Sequence, residues 1–197
     1  MTLADGVADA TTITNSGTFN LSGGILNVDT SNGDLNNTGG TVGPGYLSST
    51  TSINGNYSQD ASSTLLIEIL GMTPGTEYDV LSVTGSAILD GILDIDLDYA
   101  ELVLGDSFDI LIANAISGEF ASISNRRIDE DWIWKLDYGP DGSGNNSVTA
   151  TVSAVPLPAA VWLFISAIAG RSLASIASAD AAGLGVTDSK TAPKEPL

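Results

Sequence analysis

Glycine does most to limit what this chain can become. From Thr11 to Phe120 short β-type segments are cut off by glycine or asparagine every few residues, and no stretch there carries a helical apolar period. Gly17-Thr18-Phe19-Asn20-Leu21 is followed by Gly24-Ile25-Leu26-Asn27-Val28, then by Gly33-Asp34-Leu35-Asn36 and Gly40-Thr41-Val42. Gly17 to Gly33 is 16 residues, Gly24 to Gly40 is again 16, and Gly40 to Gly55 is 15. No one unit is large enough to bury its own apolar face, so units at such a spacing are expected to stack. The pattern predicts an all-β solenoid.

Past a break at Gly43-Pro44-Gly45 the segments sharpen. Thr64–Leu70 is an apolar run, Thr73-Pro74-Gly75-Thr76 a turn, and Tyr78–Val83 a strand. Asp90-Gly91, a tight-turn pair, separates Ala87–Leu89 from Ile92–Tyr99. Ser107–Ala113 is a further strand, and Gly118-Glu119-Phe120 opens another.

Several of these pieces carry a family likeness. They are Gly55-Asn56-Tyr57-Ser58-Gln59, Leu65–Ile69, Pro74–Asp79, Leu81–Gly85, Gly91–Ile95, Gly105–Leu111 and Gly118–Phe120. Residues 55–123 resemble the C-terminal part of autotransporter-type and related adhesin passengers. That resemblance implies the last turns of a right-handed parallel β-helix, a scaffold that carries many unrelated functions.

Arg126–Glu130 is a charged loop. After it Trp132, Trp134, Leu136 and Tyr138 alternate with Ile133, Lys135 and Asp137, which gives a strand one aromatic face. Gly139–Asn146 is a turn and Ser147–Ser153 a β-branched strand, so the two read as a hairpin capping the solenoid. Trp132, Trp134 and Tyr138 are either packing for that cap or a platform on which sugar rings stack.

Val155 to Arg171, VPLPAAVWLFISAIAGR, is unlike everything before it. Pro156 and Pro158 bracket Leu157 and can only start a helix. Ala159–Gly170 is then apolar on every side, which suits a core or a bilayer. Twelve residues reach roughly 18 Å as helix, short of a hydrocarbon core of about 30 Å. Val155–Phe164 resembles the C-terminal sorting signal of PEP-CTERM exported bacterial proteins, with Leu157 where that motif has glutamate and Arg171 alone where a basic cluster stands. The resemblance implies export, a transient or C-terminal membrane contact, and processing by an exosortase-type membrane enzyme. The sorting residues are then Pro156, Leu157, Pro158, Trp162, Phe164 and Arg171. The expected organisation is 1–125 solenoid, 126–154 capping hairpin, 155–171 sorting helix and 172–197 a disordered polar tail. The opening residues Met1–Gly6 have neither the basic nor the apolar part of a signal peptide, so the chain is expected to be the C-terminal piece of a longer exported protein.

Charge narrows the partners. The six basic residues are Arg126, Arg127, Lys135, Arg171, Lys190 and Lys194, against 24 acidic ones, for a net charge of −18. Residues 1–125 therefore have no cation. Such a surface repels phosphate backbones and anionic lipid, so no nucleic-acid partner is expected. Divalent cations or a neutral polysaccharide, such as an exopolysaccharide, are easier partners. With no histidine and no cysteine, disulfides, thiol chemistry, zinc sites and histidine-based triads are excluded.

Two constellations have residue types that could carry chemistry. Asp94, Asp96 and Asp98 share one strand face with neighbours about 6.6 Å apart, near the separation used by inverting glycosidases. No basic group precedes Arg126 to stabilise developing charge, and like-charged side chains on one exposed face are an ordinary solvated strand surface. Asp141-Gly142-Ser143-Gly144-Asn145 lacks the ligand register and closing glutamate of a calcium loop. No metal site, cofactor or catalytic residue is expected. The sequence thus predicts a non-enzymatic cell-surface or extracellular-matrix protein of structural or adhesin-like type. The alternatives are a carbohydrate-binding module using Trp132, Trp134 and Tyr138, or a polysaccharide-degrading enzyme using the aspartate row.

Overall fold

The computed structural model describes residues 1–45 and 49–156. They contain thirteen strands and no helix. In chain order the strands are β1 (Thr2–Leu3), β2 (Val7–Leu21), β3 (Ile25–Asn37), β4 (Thr41–Pro44), β5 (Thr50–Asn54), β6 (Tyr57–Gln59) and β7 (Thr64–Ile69). They continue as β8 (Val80–Leu89), β9 (Ile92–Leu97), β10 (Ser107–Gly118), β11 (Ser122–Ser124), β12 (Trp132–Pro140) and β13 (Asn146–Ala154).

All thirteen belong to one mixed sheet. Three parallel ladders run through it. One aligns Val7, Ile25, Thr41, Thr64, Ile92 and Ser122. The second aligns Thr12, Thr30, Ser52, Ser82 and Ile112. The third aligns Thr2, Asn20, Asn36, Ser58, Ile88 and Ser117. Then direction changes: β13 lies antiparallel along β10, with Ser147 opposite Ile112, and β12 lies antiparallel on β13.

The expected right-handed parallel β-helix with a separate cap and a terminal helix is therefore corrected. The sheet is mixed, because β13 takes its hydrogen bonds directly from β10, and β12 and β13 are its last strands rather than a lid over another body. The described residues contain no apolar helix. The segment expected to form one lies, from Leu157 on, outside the described residues. Residues Met1–Val155 form one compact unit.

The glycine spacing reports only the first register. Ile25 pairs with Thr41, which carries Gly24 to Gly40, and Thr18 pairs with Asp34, which carries Gly17 to Gly33. From Gly40 the register moves on to Ser63, since Thr41 pairs with Thr64, and the 15-residue step to Gly55 is no register. Gly55 instead stacks on Gly33, and Gly85 on Gly55, whose carbonyl accepts from the Gly85 amide at 2.9 Å. A Cβ on Gly55 would stand 2.6 Å from the Gly33 carbonyl carbon, and one on Gly85 2.6 Å from the Gly55 oxygen. These glycines let backbone lie on backbone at one corner.

Inside the ladders, alternate residues meet in rows, as a two-residue side-chain period requires. Phe19, Leu35, Tyr57 and Ala87 are in register and buried, as are Leu26, Val42, Leu65 and Leu93. The corner after the third ladder is held by buried amides. Asn37 Nδ2 donates to the carbonyls of Gly40 (3.0 Å) and Thr64 (3.3 Å), while its Oδ1 accepts from the Gly40 amide at 2.9 Å. One step on in the same row, Gln59 Nε2 donates to Asp90 (2.8 Å) and Ile92 (3.0 Å) carbonyls, and its Oε1 accepts from the Tyr57 hydroxyl at 2.7 Å. Each side chain gives turning backbone the partners that a ladder cannot supply.

Candidate functional surfaces

The outer faces carry the repeated chemistry. In the third ladder Asn36 Nδ2 donates to Asn20 Oδ1 (3.2 Å) and Ser58 Oγ to Asn36 Oδ1 (2.7 Å). At the neighbouring corner Asn54 Nδ2 donates to Asn32 Oδ1 at 2.8 Å. A third row links Asp34 Oδ1 to Asn56 Nδ2 (3.1 Å), and Asn56 Oδ1 to the Ser86 amide (3.0 Å). In-register strands lie about 4.8 Å apart, so these amides repeat at that interval. Each amide still has hydrogen-bonding capacity toward solvent after its ladder bond. A shallow groove between the first and third rows is lined by Asp34, Asn36, Asn56, Ser58 and Ser86.

A second surface lies at the corner joining the first and second ladders. There the connection grows along the chain. Only Asp29 separates the paired residues Val28 and Thr30 inside β3, whereas residues 70–79 join β7 to β8 and residues 98–106 join β9 to β10. Asp79 closes the first of these long connections. It is 1% exposed; its Oδ1 accepts from the Ser49 amide and its Oδ2 from the Glu68 amide, both at 2.8 Å. Burial raises the carboxyl pKa to about 7; the two amides pull the other way and the Glu68 charge adds to the rise. Asp79 ties the start of β8 to β7 and to the approach to β5. Its neighbours Tyr78 and Val80 mark only a strand, so no residue pattern singles out this side chain.

The residues singled out from sequence fall in separate places. Trp134 is 1% exposed and stands edge-on to Phe108, with ring centroids 5.8 Å apart, while Tyr78 meets Phe108 at 5.2 Å. It has no face free for a sugar. Trp132 and Tyr138 are half-buried against the same core, and the Tyr138 hydroxyl accepts from the Phe120 amide at 3.0 Å. Of the aspartate row, Asp94 and Asp96 share the outer face of β9, Asp94 paired with Leu66 and Ser124 and Asp96 with Glu68, whereas Asp98 lies past the end of that strand in the corner connection. Among the described residues no group of three or more acidic side chains is arranged to hold a metal. Asp141 is occupied locally, its Oδ2 accepting from Ser143 Oγ (2.6 Å) and its Oδ1 from the Asn145 amide (3.0 Å). Pro156 is exposed beyond β13, and Leu157, Pro158, Trp162, Phe164 and Arg171 lie outside the described residues. No described helix is long and apolar enough to cross a membrane.

No family model matches this chain, and no curated protein matches it.

Proposed function

We propose that the chain is an exported bacterial protein of the cell envelope or extracellular matrix, doing structural or adhesive work without catalysis. The observation that carries this is the register-matched Asn20–Asn36–Ser58 row, with Asn32–Asn54 beside it. Over the strands they cross, these rows offer a long polymer polar contacts repeated at the strand spacing. A neutral exopolysaccharide fits better than a polyanion, because the whole face belongs to a stretch without a basic residue. The Val155–Phe164 resemblance supplies the export half: processing by an exosortase-type enzyme after a passing membrane contact.

Two experiments test the halves separately. Cosedimentation with neutral polysaccharide is expected to weaken at least fivefold in Asn20→Ala/Asn36→Ala/Ser58→Ala, and to survive Trp132→Ala/Tyr138→Ala. The opposite pattern would favour a sugar platform on the last strands. Fractionation of cells that export the chain behind an added signal peptide, with and without residues 155–171, is expected to show the intact form held and processed at the envelope and the deleted form free of it. Identical distribution of the two forms would remove the sorting assignment.

A further inference from the structure

The two long corner connections, residues 70–79 and 98–106, lie one upon the other. The Asp98 amide donates to the Ile69 carbonyl at 2.9 Å as the two leave their ladder. Tyr78, near the end of the first, packs on Phe108, just after the second. Between them they present Leu70 (43% exposed), Met72 (41%), Val103 (56%) and Leu104 (53%). That is half of the eight large apolar side chains exposed among the described residues, gathered at one corner. Singly exposed apolar groups are ordinary; a cluster on adjoining loops is a contact surface.

These loops are also pinned. Glu77 Oε2 accepts from the amides of Met72 (3.1 Å) and Thr73 (2.8 Å), and Asp106 Oδ2 from the Val103 amide (2.8 Å). Leu102 is buried beneath them. The apolar side chains are thus held outward on a fixed backbone, which lowers the ordering cost of binding. The rim is acidic throughout. Desolvation pushes the Tyr99 pKa up, and the charges of Glu101, Asp106 and Glu77 add to the rise.

We propose that this surface docks a cationic amphipathic segment of a partner protein. Its apolar anchors would seat on Leu70, Met72, Val103 and Leu104, and its lysines or arginines would face Glu77, Glu101 and Asp106. Charge complementarity selects this occupant: the patch lies in a stretch of 125 residues that bears 16 carboxylates and no basic side chain. The inference stands apart from the export and polysaccharide assignments, and none of its residues belongs to the amide rows.

The test is isothermal titration of the full 197-residue chain with a synthetic amphipathic peptide of alternating leucine and lysine, beside a peptide with glutamate in place of lysine. The lysine peptide is expected to bind, to weaken steeply with salt, and to lose at least tenfold in affinity against Met72→Ser/Leu104→Ser. The glutamate peptide is expected not to bind. Circular dichroism of the double variant should match the parent, as both side chains are substantially exposed. Equal binding by parent and variant would show attraction to negative charge in general and would overturn the proposal. So would absence of binding, or equal binding of the glutamate peptide. A concentration-dependent dimer of the chain that the same variant abolishes would assign the surface to a second copy and overturn it as well.

Discussion

The two ends of the sheet differ in how they are finished. At the beginning, β2 makes its ladder with β3 and on its other side meets only the two residues of β1, at Asn20 and Leu21. From Val7 to Gly17 none of its residues is buried, and the inward positions are Ala8, Ala10 and Ile13. At the far end, β10 buries Phe108, Ile110, Leu111 and Ala113, and Tyr78, Phe108 and Trp134 fill the core with rings packed edge to face. The β12 edge is itself covered, because the Trp134 amide donates to Arg126 O (2.8 Å) and Ile128 N to Trp132 O (3.0 Å). An edge covered by loop and aromatic packing is protected from pairing with other chains; a flat edge of threonine, valine and alanine is not. Stability in this molecule should therefore be graded from the last strands to the first.

The largest effect expected is at Trp134. Trp134→Ala should cost about 3–5 kcal/mol in urea unfolding followed by circular dichroism, against about 1 kcal/mol for Ile13→Ala in half-buried β2. Equal losses would break the comparison. Asn37→Ala should cost about 2–4 kcal/mol, because it leaves the Gly40 amide and carbonyl at a buried corner without their partner. Gly55→Ala should cost about 1–3 kcal/mol by driving a Cβ into Gly33, while Gly17→Ala, whose Cβ meets nothing within 4 Å, should be close to neutral. A costly Gly17→Ala would mean that the first strands are held more tightly than their exposure implies.

The smallest effect is a pH dependence. The folded-state pKa of Asp79, raised to about 7, lies above the unfolded value of about 3.9. Its stability contribution is full below that lower value and is lost as pH rises through the upper one. The melting temperature of the parent relative to Asp79→Asn should therefore increase on acidification from about pH 8 to about pH 5, by on the order of 5 °C. A constant difference across that window would place the carboxylate in water.

Strand positions were the legible part. The run Thr64–Leu70 is β7 to within one residue, and the alternating Trp132–Tyr138 stretch is β12. Partners were legible only where successive returns of the chain are short. Asp90-Gly91 turns the chain, yet β9 pairs with β7 and β11 and not with β8, because the turn is a corner. The pairing offset is 16 residues from Ile25 to Thr41, 23 from Thr41 to Thr64 and 28 from Thr64 to Ile92. Residues inserted at one corner stretch the period and hide it from any fixed spacing. The antiparallel seating of β13 on β10 was invisible for another reason: alternation of apolar and polar residues is the same in either direction. Of the candidate surfaces, asparagines were visible as turn formers but not as rows, since rows exist only once the register is known. The apolar corner was hidden because Leu70, Val103 and Leu104 look like core residues when exposure is not seen.

Amide hydrogen exchange resolved by residue tests the grading most directly. The account predicts that the amides of Leu81–Val83 in β8, Leu111–Ala113 in β10 and Val148–Val152 in β13 exchange only on global unfolding, while those of Val7–Asn15 in β2 exchange at least a hundredfold faster. Protection that is uniform from β2 to β13, or strongest in β2, would contradict it.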